Sequence, residues 1–174
     1  PPIATPEPVA PPTPPVAPQF TPGNPDLVPN QFSSGLTTAE AYAACGPAAA
    51  VAFARSQGRN PTMQEALNLA RQVGWNANQG MAGPTSQVQL MQSMGIPTRL
   101  QPGDPSPSLI ARDVGGNNPV IISTPNHYFV IDGFNPQTGE YHVGNSGTAY
   151  RTGAPWLTMD RIRQIGGGIQ GTIY

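Results

Sequence analysis

The stretch Ala44-Cys45-Gly46-Pro47-Ala48-Ala49-Ala50-Val51-Ala52-Phe53-Ala54 decides how this chain folds. Pro47 suits the first turn of an α-helix, and Gly58 is a suitable stop. The alanine-rich part has no polar face, and a helix that is apolar all round is buried on all sides. Its small side chains let other elements approach closely. We therefore predict a central helix with Cys45 at its N-terminus.

Further helix signals flank this stretch. Thr37 with Glu40, and Thr62 with Glu65, each place a Thr three residues before a Glu, which is the capping-box signature of a helix start. Periodicity and glycine stops predict these other helices: Thr62 to Gly74 with Met63, Leu67 and Ala70 inward; Thr85 to Met94 with Val88, Met91 and Met94 inward; Ser108 to Val114; and Thr158 to Gln164.

The second half of the chain has the period of strands. Val120-Ile121-Ile122 is a short apolar run between turn residues and predicts a buried strand. Residues 127–134 and 140–144 predict a hairpin with an ordinary loop, and residues 169–174 predict a closing strand. Helices first and an antiparallel sheet second is the α+β pattern.

The first residues form a separate region by composition. Of the 23 prolines, 12 fall within residues 1–30, and such segments favour polyproline II over helix or sheet. We predict a disordered proline-rich linker or arm over residues 1–26 and a folded domain over residues 27–174. Because the chain opens with Pro, we expect it to be part of a longer polypeptide joined through this arm.

Composition excludes several classes of function. The net charge of −1 gives no electrostatic footprint for nucleic acid or an anionic membrane, and no apolar run approaches the ~20 residues of a membrane helix. The single cysteine excludes an internal disulfide, and the sequence predicts neither a cofactor nor a metal site. The compartment stays open, with a secreted, cell-surface or virion-associated location favoured.

A lone cysteine in a chain that also holds His and Asn is a candidate nucleophile. Unpaired N–H groups and the dipole at a helix N-terminus favour thiolate, so we expect a lowered pKa for Cys45. The alternative is a cysteine packed in the core at a helix start. His127 opens a predicted strand after a Thr-Pro-Asn turn, where ends of elements converge, and is the candidate base. His142 lies within a strand, where a surface or hydrogen-bonded structural histidine is the expected reading.

A base of this kind needs a third group to orient its ring. Asp132 lies five residues beyond His127 in the same strand, which places the two side chains on opposite faces. Asn145 ends the next strand, so pairing could bring its amide oxygen beside His127, although its neighbours also suit a turn. Gln31 could aim an amide at a developing oxyanion together with the Cys45 N–H, whereas alone it reads as a solvated loop residue.

Taken together, these residues resemble the bacteriocin-processing, double-glycine type peptidases that are not fused to a transporter. The specific parts are Cys-Gly-Pro at a helix start and an aromatic-rich histidine strand that ends in Gly, within residues 27–174. The residues that carry the resemblance are Gln31, 44–49, Gly74, Gly80, 95–97, 118–122, 127–134 and Asn145.

The resemblance implies a papain-like cysteine peptidase fold, with Cys45 as nucleophile, His127 as general base and Asn145 as the third residue. Gln31 matches the family glutamine by approximate spacing. Many such peptidases carry Asp at the third position, so Asn145 departs from that subset and agrees with papain.

The implied function is hydrolysis of a peptide or protein substrate through an acyl-enzyme on Cys45, in a bacterial or phage protein. Two alternatives stay open: an acyltransferase or amidase with the same residues, or a catalytically weak binding or assembly module of a larger surface, secreted or virion protein. The glycine run 166–168 could be a site of self-cleavage. The alternative is that these glycines only separate the last helix from the final strand.

Overall fold

A computed structural model of the chain describes residues 17–144 and 156–174. A short 3₁₀ turn over Gln31–Ser33 precedes the first helix. The helices and strands follow in chain order: α1 Thr38–Ala43, α2 Cys45–Ser56, α3 Met63–Gln72, α4 Pro84–Ser93, β1 Leu100–Pro102, α5 Pro107–Gly115, β2 Val120–Ser123, β3 Tyr128–Asn135, β4 Glu140–Gly144, β5 Trp156–Leu157, α6 Met159–Gly166 and β6 Gly171–Ile173.

Both predicted capping boxes are present. The Thr37 hydroxyl accepts from the Glu40 N–H, and the Glu40 carboxylate accepts from the Thr37 N–H in return. Thr62 and Glu65 repeat this reciprocal pair at the start of α3. Each pair satisfies two N–H groups that a helix start otherwise leaves without a partner. These short polar contacts fix where α1 and α3 begin.

Helix α2 is the buried centre that its composition predicts. Every residue from Gly46 to Ala54 is buried, and Cys45 is its first residue. The helix packs against α3, α4 and β3. Because alanine adds little bulk, these neighbours come close to the α2 backbone on several sides.

Within the described ranges, six strands form one antiparallel sheet in the order β1-β6-β2-β3-β4-β5. Alternate residues of β3 serve different cores. Tyr128 and Val130 pack with α2, α3 and α4, whereas Phe129 and Ile131 pack with α5 and α6. The predicted α+β order is confirmed, and the sheet carries helices on both faces.

The inward face of α4 differs from the predicted one. Gln87 and Leu90 are fully buried together with Met91, whereas Val88 and Met94 are only partly buried. Val88 was predicted to face inward because it is apolar. The structure instead buries the Gln87 amide, whose Nε2 donates to the Gly46 carbonyl at 2.9 Å.

The glycine run near the C-terminus ends helix α6. Gly167 adopts a left-handed conformation with φ 76°, and the Gly168 N–H donates to the Arg163 carbonyl at 2.9 Å. This is a helix C-cap, which glycine forms without the Cβ penalty. Gly166 packs against the Thr124 side chain so closely that a Cβ would collide with it.

The last part of the predicted arm contacts the sheet. Thr21 pairs with Phe134 of β3 through two backbone hydrogen bonds of 2.9 and 3.0 Å. The Asn24 N–H donates to the Asp132 carboxylate at 2.6 Å, and Phe20 stacks on Trp156. The predicted domain boundary at residue 26 therefore lies within a segment whose described end packs on the domain, while residues 1–16 lie outside the described ranges.

No helix in the described ranges is both long enough and apolar enough to cross a membrane.

Removal of residues 1–26 should lower the unfolding midpoint of the domain. The truncation deletes the Asn24 N–H that Asp132 accepts, and a hydrogen bond to a charged group is worth about 2 kcal/mol. For a chain of this size the expected fall is roughly 6 °C, measured by thermal unfolding. Removal of residues 1–16 is the matched control, since it keeps Phe20, Thr21 and Asn24. Equal midpoints for the two truncations would show that the contacts at Phe20, Thr21 and Asn24 do not support the fold.

Candidate active site

One cavity of about 360 Å³ brings together the two residues predicted to react. Cys45 lines it from the start of α2, and His127 lines it from the turn that precedes β3. The other walls come from residues 42–43 at the end of α1, residues 77–83 ahead of α4, residues 124–126 and Tyr128 on either side of His127, and Gln170 ahead of β6. Of the described residues that line this cavity, none is Asp, Glu, Lys or Arg, so its polar surface is made mainly of amides, hydroxyls and backbone.

The sulfur of Cys45 lies next to the first residue of β3. Burial and the nearby backbone N–H groups act on this thiol in opposite directions, and the N–H groups of Tyr128, Gly46 and Cys45 itself act to lower its pKa. Burial is the larger effect, however, and raises the pKa of Cys45 above its ordinary value. The expected lowering of this pKa is therefore wrong, because desolvation of the thiol outweighs the helix N–H groups even though Cys45 is partly exposed to the cavity.

A tight turn fixes His127. The Thr124 hydroxyl donates to the His127 carbonyl at 2.6 Å and accepts from the His127 N–H at 3.0 Å. The Thr124 N–H donates to the same carbonyl at 3.0 Å. The ring of His127 meets Phe129 edge to face, with the centroids 4.9 Å apart. The Thr-Pro-Asn turn predicted before His127 is therefore present, and the Thr124 hydroxyl closes it.

His142 has the structural role that its position in a strand suggested. Its Nδ1 lies 2.6 Å from an Asp132 carboxylate oxygen, and both side chains are more than nine-tenths buried. The other Asp132 oxygen accepts from the Asn24 N–H. The register of the β3–β4 pairing shifts between Ile131 and Gly133, so Asp132 lies at an irregularity of the strand. Such irregularities redirect the side chain at that position. Asp132 is thus paired with His142, in agreement with its rejection as the partner of His127.

Gln31 lies apart from the cavity walls. Its side chain is buried, and its Nε2 donates to the Ala41 carbonyl at 2.6 Å. This bond holds the turn over Gln31–Ser33 against α1, whose end leads directly to Cys45. Gln31 therefore supports the segment before the nucleophile, and its part in an oxyanion site stays a prediction.

Asn145 lies outside the described residues, so its place beside His127 stays a prediction. The preceding residue, Gly144, pairs with Val130 in the β3–β4 ladder.

The cavity-lining residues that follow Trp75 are held close to the start of α2. The Trp75 indole N–H donates to the Ala43 carbonyl at 2.8 Å, and Asn76 and Gly80 close a small loop with two backbone hydrogen bonds. Gly80 has φ 72°, and a Cβ there would come within 3.1 Å of the Ala43 carbonyl oxygen. Glycine is therefore required where this loop passes the segment before Cys45.

The described residues hold no group of three or more His, Cys, Asp or Glu side chains that could bind a metal ion.

The fold is similar to that of a known peptidase domain. The chain superposes on the crystal structure of the peptidase domain of Streptococcus ComA, a bi-functional ABC transporter involved in a quorum-sensing pathway. The TM-score is 0.55 at 17% sequence identity, covering 76% of this chain and 90% of that domain. No family model matches the sequence, and no curated protein matches it. The papain-like fold that the sequence resemblance implied is confirmed by this likeness.

Alkylation of Cys45 should require a higher pH than alkylation of an ordinary thiol. Because burial raises the pKa of Cys45, thiolate forms only as the pH rises through that higher value. We expect the rate of reaction with iodoacetamide to reach half its maximum at a pH above about 8.5 in the native protein, and at a pH near 8.5 in urea. The chain has a single cysteine, so the increase in the mass of the intact protein measures alkylation of Cys45 alone. A native midpoint at or below that of the unfolded chain would show that burial is not the larger effect on this thiol.

Proposed function

We propose that the protein is a cysteine peptidase in which Cys45 is the nucleophile and His127 is its base. The observation that carries this proposal is that both residues line one cavity of a papain-like fold. A peptide or protein is the substrate class that this fold suggests.

The raised pKa of the Cys45 thiol favours one form of the mechanism. A thiol that stays protonated at neutral pH must lose its proton as it attacks, so His127 acts as a general base in the attacking step. The sulfur then bonds to the acyl carbon, and the protonated imidazole returns the proton to the departing amine. Water, activated by the same imidazole, hydrolyses the thioester and releases the carboxylic acid with the free thiol.

The oxyanion formed during attack has donors close to the sulfur. The N–H groups of Cys45 and Tyr128 lie beside it, and a backbone N–H can stabilise the developing charge of a tetrahedral intermediate. Gln31 joins this set only if its amide reaches the cavity when substrate binds. Asn145 is proposed as the residue that orients the His127 ring, through its amide oxygen.

Substitutions of the two histidines should separate the roles proposed for them. Cys45→Ala and His127→Ala should each lower kcat/KM at least about a thousandfold, because each removes a member of the reacting pair. His142→Ala should keep most of the activity while losing about 3 kcal/mol of stability, since it leaves Asp132 buried with one partner fewer.

The measurement is cleavage of a proteome-derived peptide mixture, read by mass spectrometry, with thermal unfolding of each variant. Cys45→Ala is the control for a contaminating protease. Cleavage that persists in Cys45→Ala, or a greater loss of activity in His142→Ala than in His127→Ala, would overturn the assignment. Addition of a labelled amine to the same reaction distinguishes an acyltransferase, which transfers the acyl group to the amine, from a hydrolase.

A second candidate is a binding or assembly module that retains the peptidase fold. The specific observation in its favour is the desolvation of the partly buried Cys45 thiol, which raises its pKa and so lowers the thiolate fraction at neutral pH. Such a module would bind peptides from the mixture without cleaving them, and it would do so equally well after Cys45→Ala.

A further inference from the structure

Gln87 is a fully buried amide next to the residue that follows the nucleophile. Its Nε2 donates to the Gly46 carbonyl at 2.9 Å. Its Oε1 has no hydrogen-bond partner among the described residues, and it lies 2.6 Å from the position that a Cβ on Gly46 would occupy. Glycine at position 46 is thus what lets this amide approach the first turn of α2.

Helix α2 begins differently from α1, α3 and α6. Thr37, Thr62 and Thr158 each cap a helix by accepting from a backbone N–H of its first turn. Helix α2 begins after Ala44, which offers no side-chain acceptor. No side chain therefore accepts from the N–H groups at this start, and those of Cys45 and Gly46 act to lower the pKa of the thiol. Helices α4 and α5 also begin without a side-chain cap, but only α2 carries the proposed nucleophile at its start.

The stability of the core does not explain the amide. A buried carbonyl oxygen without a partner costs about 1–3 kcal/mol, comparable to what the single hydrogen bond from Nε2 returns. A leucine or methionine of similar volume would fill the same space. It would lose the hydrogen bond from Nε2, but it would also bury no oxygen without a partner. What the amide supplies and an apolar side chain cannot is a directed contact with the Gly46 carbonyl.

We propose that Gln87 is a positioning residue for the nucleophile, holding the Gly46 carbonyl so that the first turn of α2 presents Cys45 and its neighbouring N–H groups to the cavity. The amide acts through Gly46 and does not touch the reacting atoms. The catalytic consequence rests on the proposed peptidase function, whereas the effect on Cys45 itself does not.

The test compares Gln87→Leu with Gln92→Leu, which alters an exposed glutamine on the same helix. For Gln87→Leu we expect kcat to fall by roughly tenfold to a hundredfold with KM nearly unchanged, because a displaced nucleophile loses its attack geometry while the cavity walls remain. The pH midpoint of Cys45 alkylation should move upward, since N–H groups that favour the thiolate lose their alignment. The unfolding midpoint should stay equal or rise. Gln92→Leu should match the wild type in all three measurements.

Gln87→Met serves as a second variant in case the branched side chain does not fit. Wild-type kcat together with a wild-type alkylation profile in a folded variant would overturn the proposal. Failure of both variants to fold would also overturn it, since it would assign the amide to core stability. If the wild-type protein cleaves no peptide, the proposed function fails, but a shifted alkylation midpoint in Gln87→Leu still supports the positioning role.

Discussion

Helix α2 is buried on several sides, and this requirement organises the fold around it. Its alanine-rich sequence offers no polar face to water, so the sheet must cover one side and α3 and α4 must cover others. Contact with β3 brings the N-terminus of α2 to the edge of the sheet where that strand begins. Cys45 and His127 lie in one cavity because one residue starts the helix and the other precedes the strand.

The same burial also sets the chemistry of the thiol. A helix start at a protein surface would favour thiolate, but here desolvation outweighs three backbone N–H groups, and the pKa of Cys45 rises. A neutral thiol that gives its proton to His127 during attack fits this environment better than a preformed ion pair. The turn at Thr124, which hydrogen-bonds both the N–H and the carbonyl of His127, supplies the rigidity that such a base requires.

Local signals in the sequence predicted much of the fold. Both capping boxes, the apolar central helix and the β3–β4 hairpin follow from short-range patterns, and each is present. Burial of Gln87, docking of Asn24 on Asp132 and the raised pKa of Cys45 depend on residues distant in sequence, which no periodicity reveals. For the site, the sequence predicted Cys45, His127 and the Thr-Pro-Asn turn before it, whereas the two hydrogen bonds of the Thr124 hydroxyl are seen only in the structure.

The most direct test of the central claim is whether the imidazole of His127 senses the sulfur of Cys45. The chain contains two histidines, so the ring signals of His127 and His142 can be followed together by NMR in the wild type and in Cys45→Ser. If the two side chains meet, the His127 signals will move and those of His142, paired with Asp132, will stay in place. Unchanged His127 signals would show that the two side chains do not meet and would contradict the account.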